Sequence, residues 1–134
     1  MFPSCLPSEA VNLIESSSVE MAKQIKQASI STSLSQDEIK TTFVNLGSTG
    51  IPILLIHGFD SSLLEFRRLL PILAAKQSTY AVDLLGFGFT QRNLEIPLNP
   101  ENIKTHLYYF WKTIIKQPII LVGASMGGAA AIDF

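Results

Sequence analysis

One cysteine, two histidines and few charges are the first constraints that this chain sets. Cys5 alone can form no internal disulfide, which suits a reducing compartment. The two histidines, His57 and His106, lie far apart in the chain and cannot combine with one cysteine into a metal cluster, so no metal site is expected. Charged residues make up only 16% of the chain, against a usual share of roughly 25%. The 10 basic and 11 acidic residues leave a net charge of −1, with no block of either sign. That argues against a nucleic-acid surface and against a polybasic membrane patch, since both need concentrated Lys and Arg. Long apolar runs are missing too. The longest, from Pro118 to Ile132, is broken by glycines and Ser125 and falls short of the ~18 residues a membrane span needs. The opening MFPSCLPSEA has neither a basic region nor a long apolar core, so it does not read as a secretory signal. A non-membrane, cytoplasmic protein is the expectation.

What is present is core. Hydrophobic residues reach 47% of 134 residues, a balance that suits one half of a larger α/β domain better than a complete small protein. Residues 1–38 read as an N-terminal extension, with a flexible lead-in and an amphipathic helix from Val11 to Ile30. Residues 39–134 read as a partial α/β domain. Its strand candidates are IKTTFVNLG, IPILLI, STYAVDLLGFG and PIILVG. Ser62 with Glu65 makes a capping-box pattern before LLEFRRLLPILAAK, a helix that Pro71 should interrupt. Asn99 and Pro100 open another helix, whose stripe of Ile103, Leu107, Phe110, Trp111 and Ile114 faces inward. Buried apolar strands alternating with helices predict a mostly parallel sheet flanked by helices.

Two stretches carry chemistry. LVGASMGG, residues 121 to 128, is a strand running into Gly-x-Ser-x-Gly. Such a turn lifts the Ser125 hydroxyl above the sheet, and Gly123 and Gly127 are the small residues it needs where strand and helix backbones nearly touch. The second stretch, His57-Gly58-Phe59-Asp60, closes an earlier buried strand. A tetrahedral oxyanion is best held by fixed backbone N–H donors. Met126 would supply one and the loop opened by His57-Gly58 the other, with Phe59 as the leading candidate.

HGFDSS, VDLLGFGFT and LVGASMGG together resemble the α/β-hydrolase superfamily of serine hydrolases. The longer phrases HGFDSSLLEFRRLLP and HLYYFWKTIIKQP are similar to a subgroup of cyanobacteria and chloroplasts. The resemblance covers roughly Ile39 to Phe134 and implies the N-terminal half of an α/β-hydrolase fold, cut after the nucleophile elbow. It implies Ser125 as nucleophile and Phe59 and Met126 as oxyanion-hole donors, with Gly123, Gly127, His57 and Gly58 in support. Relatives with aspartate at the elbow, such as dehalogenases and epoxide hydrolases, are disfavoured by Ser125. In this family the acid and then the histidine follow the serine in the chain, so both are expected beyond Phe134. If the source is a eukaryote, the plastid stroma becomes an alternative location.

The remaining polar residues have plainer readings. His57 precedes the oxyanion loop and should support it rather than act as a base. His106 should pack at the helix surface. Asp83 should shape the Gly86-Phe87-Gly88 loop. Asp60 should serve a cap or turn, with a substrate-entrance contact as the alternative, since near the oxyanion loop its charge would oppose the developing anion unless Arg67 or Arg68 neutralises it or it points away.

The functional expectation is a serine hydrolase acting on a small ester, thioester or similar acyl substrate through an acyl-enzyme on Ser125. It needs no cofactor. As these 134 residues alone, the chain should be inactive. An acyltransferase on the same scaffold and a non-catalytic binding or interaction module are the alternatives; any protein partner is unknown.

Overall fold

In the computed structural model, which describes residues 2–13 and 15–124, the apolar runs become the strands of one mixed sheet. Its strands are β1 (Lys26–Ile30), β2 (Ile39–Leu46), β3 (Ile53–Ile56), β4 (Thr79–Val82) and β5 (Ile120–Gly123). Their order across the sheet is β1-β2-β4-β3-β5. The β1–β2 and β2–β4 pairs are antiparallel, whereas β3 lies parallel to both β4 and β5. The helices are α1 (Ser16–Lys23), α2 (Leu69–Ala74) and α3 (Pro100–Phe110).

Both faces of the sheet are packed, and the period-two alternation of the strands sorts side chains between them. Phe43, Leu54 and Ile56 enter one core with Ile103, Leu107 and Phe110 of α3. Val44, Ile53 and Leu55 enter the other with Met21 and Ala22 of α1 and Leu70 of α2. β3 is buried along its whole length, as its continuous apolar run requires.

Four local expectations need correction. The N-terminal helix covers only Ser16–Lys23, and Lys26–Ile30 pairs in an antiparallel register with β2, from Ile30 opposite Ile39 to Lys26 opposite Phe43. Sheet pairing there overrides a weak helical pattern. After Ser62 a short 3₁₀ turn spans Leu63–Phe66 instead of a helix, and α2 starts at Leu69, so the run breaks ahead of Pro71. Pro71 then sits in the first turn of α2, where its missing N–H costs nothing. Ser62 Oγ accepts from the Leu64 N–H, but Glu65 does not return the bond to Ser62. Finally, β5 is half exposed among the described residues, with Ile120 at 44% and Val122 at 39%. It pairs there only with β3.

The start of α3 follows the sequence. Asn99 Oδ1 accepts from the Asn102 N–H at 2.9 Å, and Pro100 takes the first helical position. Asn99→Ala is expected to cost about 1 kcal/mol of unfolding free energy, read by urea denaturation. A loss under a few tenths would mean that the cap contributes nothing. The helix ends in a π turn, Trp111–Ile115, closed by Lys116 at φ 63°. Its Lys116 N–H donates to the Trp111 carbonyl, and Trp111 Nε1 donates to the Gln117 carbonyl.

Candidate active site

β3, β4 and β5 end side by side, with Ile56 opposite both Val82 and Gly123. The Ala124 N–H donates to the Ile56 carbonyl at 3.0 Å, so the chain leaving β5 emerges next to the loop leaving β3. In parallel α/β sheets, ligand sites gather at this carboxyl edge. Ser125, Met126 and Gly127 lie outside the described residues. Gly123 is the last residue of β5, and His57, Gly58 and Phe59 form the loop beside it.

Two polar side chains fix that loop, the buried His57 and the exposed Glu65. His57 has no exposed surface. Its Nε2 receives the Leu84 N–H at 3.0 Å, and because a backbone N–H can only donate, Nε2 must be the unprotonated nitrogen. Nδ1 therefore carries the hydrogen and donates it to the Gly58 carbonyl at 2.8 Å. Both ring nitrogens are occupied, so His57 is a brace and has no lone pair left to act as a base. The Gly58 N–H, in turn, donates to Glu65 Oε1 at 3.0 Å.

These bonds have a geometric consequence. In a trans peptide the C=O and the following N–H point in opposite directions. With the Gly58 carbonyl held by His57, the Phe59 N–H must face away from it. That N–H meets no acceptor among the described residues, whereas its neighbour at Gly58 does. The Phe59 ring is 71% exposed and stacks edgewise on Phe87 at 5.5 Å. Phe87 meets the His57 ring at 5.8 Å. A hollow of about 280 Å3 opens at the Leu85-Gly86 end of the Phe87 loop, lined mainly by apolar side chains from Leu94 to Leu98 together with Arg92 and Asn93.

Asp83 ties the neighbouring loops together. Its carboxylate is fully buried and accepts from Thr42 Oγ1 at 2.6 Å, from the Leu63 N–H at 2.8 Å and from the Phe89 N–H at 3.0 Å. Burial pushes its pKa up, against the downward pull of these bonds. A Cβ on Gly88, which has φ +56°, would lie 2.2 Å from Asp83 Oδ1, so the loop can close over the carboxylate only at a glycine. Asp60 is exposed in a left-handed turn at φ 54°. Neither nearby arginine serves it: Arg67 and Arg68 bind the Glu15 carboxylate at 3.1 and 2.9 Å.

His106 departs from its expected surface position. It is completely buried on the inner side of α3, with Nε2 2.8 Å from Thr41 Oγ1 and Nδ1 without a hydrogen-bond partner among the described residues. Its spacing from Ile103, Leu107 and Phe110 places it on the inner face. Burial lowers its pKa to about 4. Neither histidine is thus placed as a general base. Glu65 is the residue that sequence reasoning misassigned, since its i+3 spacing from Ser62 points to a cap.

The strand order, the braced loop at the carboxyl edge of β3 and the approach of β5 define a mixed five-stranded α/β sheet flanked by helices. Residues 51–132 match the model of the alpha/beta hydrolase fold family, and the chain belongs to that family. It is 46% identical over 84 residues to the alpha/beta hydrolase domain-containing protein VTE7 of Arabidopsis thaliana, covering 62% of this chain and 26% of that protein. It is 32% identical over 99 residues to a 2-hydroxy-6-oxo-2,4-heptadienoate hydrolase of Pseudomonas putida, covering 72% of this chain and 36% of that one. Among solved structures, a thermophilic esterase from Thermogutta terrifontis superposes with a TM-score of 0.72 at 30% identity, over 81% of this chain and 40% of the esterase. The chain thus spans 26% and 36% of the length of these two curated relatives. Among the described residues, no helix is long and apolar enough to cross a membrane.

Proposed function

We propose that the protein is a serine hydrolase of small acyl compounds, with Ser125 as its nucleophile. The observation that carries this reading is the Phe59 N–H, turned outward by the His57 brace where β3 and β5 emerge together. Ser125 Oγ attacks the acyl carbon while a base takes its proton. The carbonyl oxygen becomes an oxyanion that accepts from the Phe59 and Met126 N–H groups. The leaving group departs with a proton, and water then releases the acid from the acyl-enzyme. The acid and base come from residues that follow Ser125 in the whole protein, since His57 and His106 are committed elsewhere. The similarity to an esterase supports an ester or thioester substrate. An acyltransferase would share these steps up to the acyl-enzyme and then pass the acyl group to an acceptor other than water.

The test is labelling of the whole protein in its source cells with a fluorophosphonate probe, followed by peptide mapping. One adduct, on Ser125, is expected, and Ser125→Ala should abolish it and lower esterase turnover by at least about 1,000-fold. A folded protein that takes no label, or takes it elsewhere, would sink the assignment. A non-catalytic module would behave that way and would keep its biological role in Ser125→Ala.

A further inference from the structure

We infer that Glu65 is a positioning residue for the oxyanion loop, acting through the Gly58 N–H. The inference rests on the serine-hydrolase reading of this site. An oxyanion donor stabilises charge only if its N–H direction is fixed before the reaction. The direction of the Phe59 N–H is set by two consecutive peptide units. The unit joining Gly58 to Phe59 is held at its carbonyl by His57 Nδ1. The unit joining His57 to Gly58 is held at its N–H by Glu65 Oε1, 3.0 Å away. Gly58 has no side chain to restrict its backbone, so without the second bond the Phe59 N–H direction hangs on the single bond between His57 and the Gly58 carbonyl, and rotation about the Gly58 φ loosens the two together.

The carboxylate comes from the 3₁₀ turn Leu63–Phe66, and that turn is anchored. Leu63 N–H donates to Asp83, Ser62 Oγ caps Leu64, and the Leu63 and Phe66 side chains are buried. The tether is therefore rigid at its base and reaches the loop through one side chain. It also removes Gly58 as a competing donor, which leaves the Phe59 N–H as the open one. Because an acceptor is what the loop needs, glutamine can replace glutamate: its amide oxygen can take the same N–H.

The experiment compares the whole wild-type protein with Glu65→Ala and Glu65→Gln, using 4-nitrophenyl acetate turnover, fluorophosphonate labelling and Gly58 amide hydrogen exchange. Glu65→Ala should lower kcat by about 10–100-fold with KM within about twofold of wild type, and should speed Gly58 exchange. Glu65→Gln should restore both kcat and Gly58 protection. Unchanged kcat or unchanged Gly58 exchange in Glu65→Ala overturns the inference. So does a glutamine variant that fails to rescue, or a loss shared between kcat, KM and thermal stability. If Glu65→Ala does not fold, Glu65→Gln with wild-type kcat and Gly58 protection upholds the inference, and loss of either in the folded variant refutes it. Wild-type protein without label at Ser125 brings down the nucleophile assignment instead, while the exchange data still decide whether Glu65 holds the loop.

Discussion

Asp83→Ala is expected to lower the unfolding free energy by about 3–5 kcal/mol, measured by urea unfolding of the whole protein. The carboxylate serves three donors from three places in the chain: Thr42 on β2, Leu63 at the 3₁₀ turn and Phe89 after the glycine loop. Alanine leaves all three facing an apolar methyl group in a site sealed from water. Each orphaned buried donor costs about 1–3 kcal/mol, and Thr42 can recover part of its loss by turning toward Thr90, whose Oγ1 is 3.5 Å away. Asp83→Asn would keep the side-chain volume and one acceptor, so its loss should be smaller. Gly88→Ala approaches the same centre from outside and should cost a comparable amount to Asp83→Ala. Its new Cβ would meet the carboxylate at 2.2 Å, and that carboxylate cannot retreat without breaking its bonds. A loss below about 1 kcal/mol in both Asp83→Ala and Gly88→Ala would mean that the three segments hold together without this carboxylate.

The second large effect is a dependence on acid that originates at His106. Its pKa is about 4 in the fold and 6.5 as the ordinary value. Between those pH values the folded protein binds fewer protons at this site than the unfolded chain does, so protons favour unfolding. The stability is fully present above pH 6.5 and is lost as pH falls to about 4, a total of about 3 kcal/mol. Asp83 acts in the opposite sense, because its pKa is raised in the fold and protonation there favours the folded state. His106→Leu isolates the histidine. Leucine fills the apolar site, removes the unpartnered Nδ1 and leaves Thr41 Oγ1 donating to the Ile39 carbonyl. The difference in unfolding free energy between wild type and His106→Leu should therefore shift by about 2–3 kcal/mol between pH 7 and pH 4.5, in favour of the variant. A difference that stays constant over that range would show that the folded protein takes up the proton at His106 without cost.

The parts of this molecule that were legible in the sequence are those governed by local rules. Ile53–Ile56 is apolar throughout because it is covered on both faces, and Asn99-Pro100 announces α3 because the cap and the first helical position are chosen by backbone chemistry. β1 was illegible for the opposite reason. KQASI carries one fully buried residue, Ile30, and becomes a strand through its pairing with Ile39–Phe43. The π turn at Trp111–Ile115 likewise has no local signature in WKTII. At the site, the spacing of His57-Gly58 marked the loop, but the partner of the Gly58 N–H lies seven residues on, in a turn that sequence reading extended into a helix. His106 could have been placed correctly, since its position relative to Ile103, Leu107 and Phe110 is that of an inward-facing residue.

The bonds that brace the loop all close within an early part of the chain, from Thr42 to Thr90, while Ser125 comes later. On the ribosome, where synthesis runs from the N-terminus at about 5–20 residues per second, the bonds that fix the Gly58 amide and carbonyl have both partners before residue 125 is made. β5 then adds to the edge of β3, beside a loop whose bonds already have their partners.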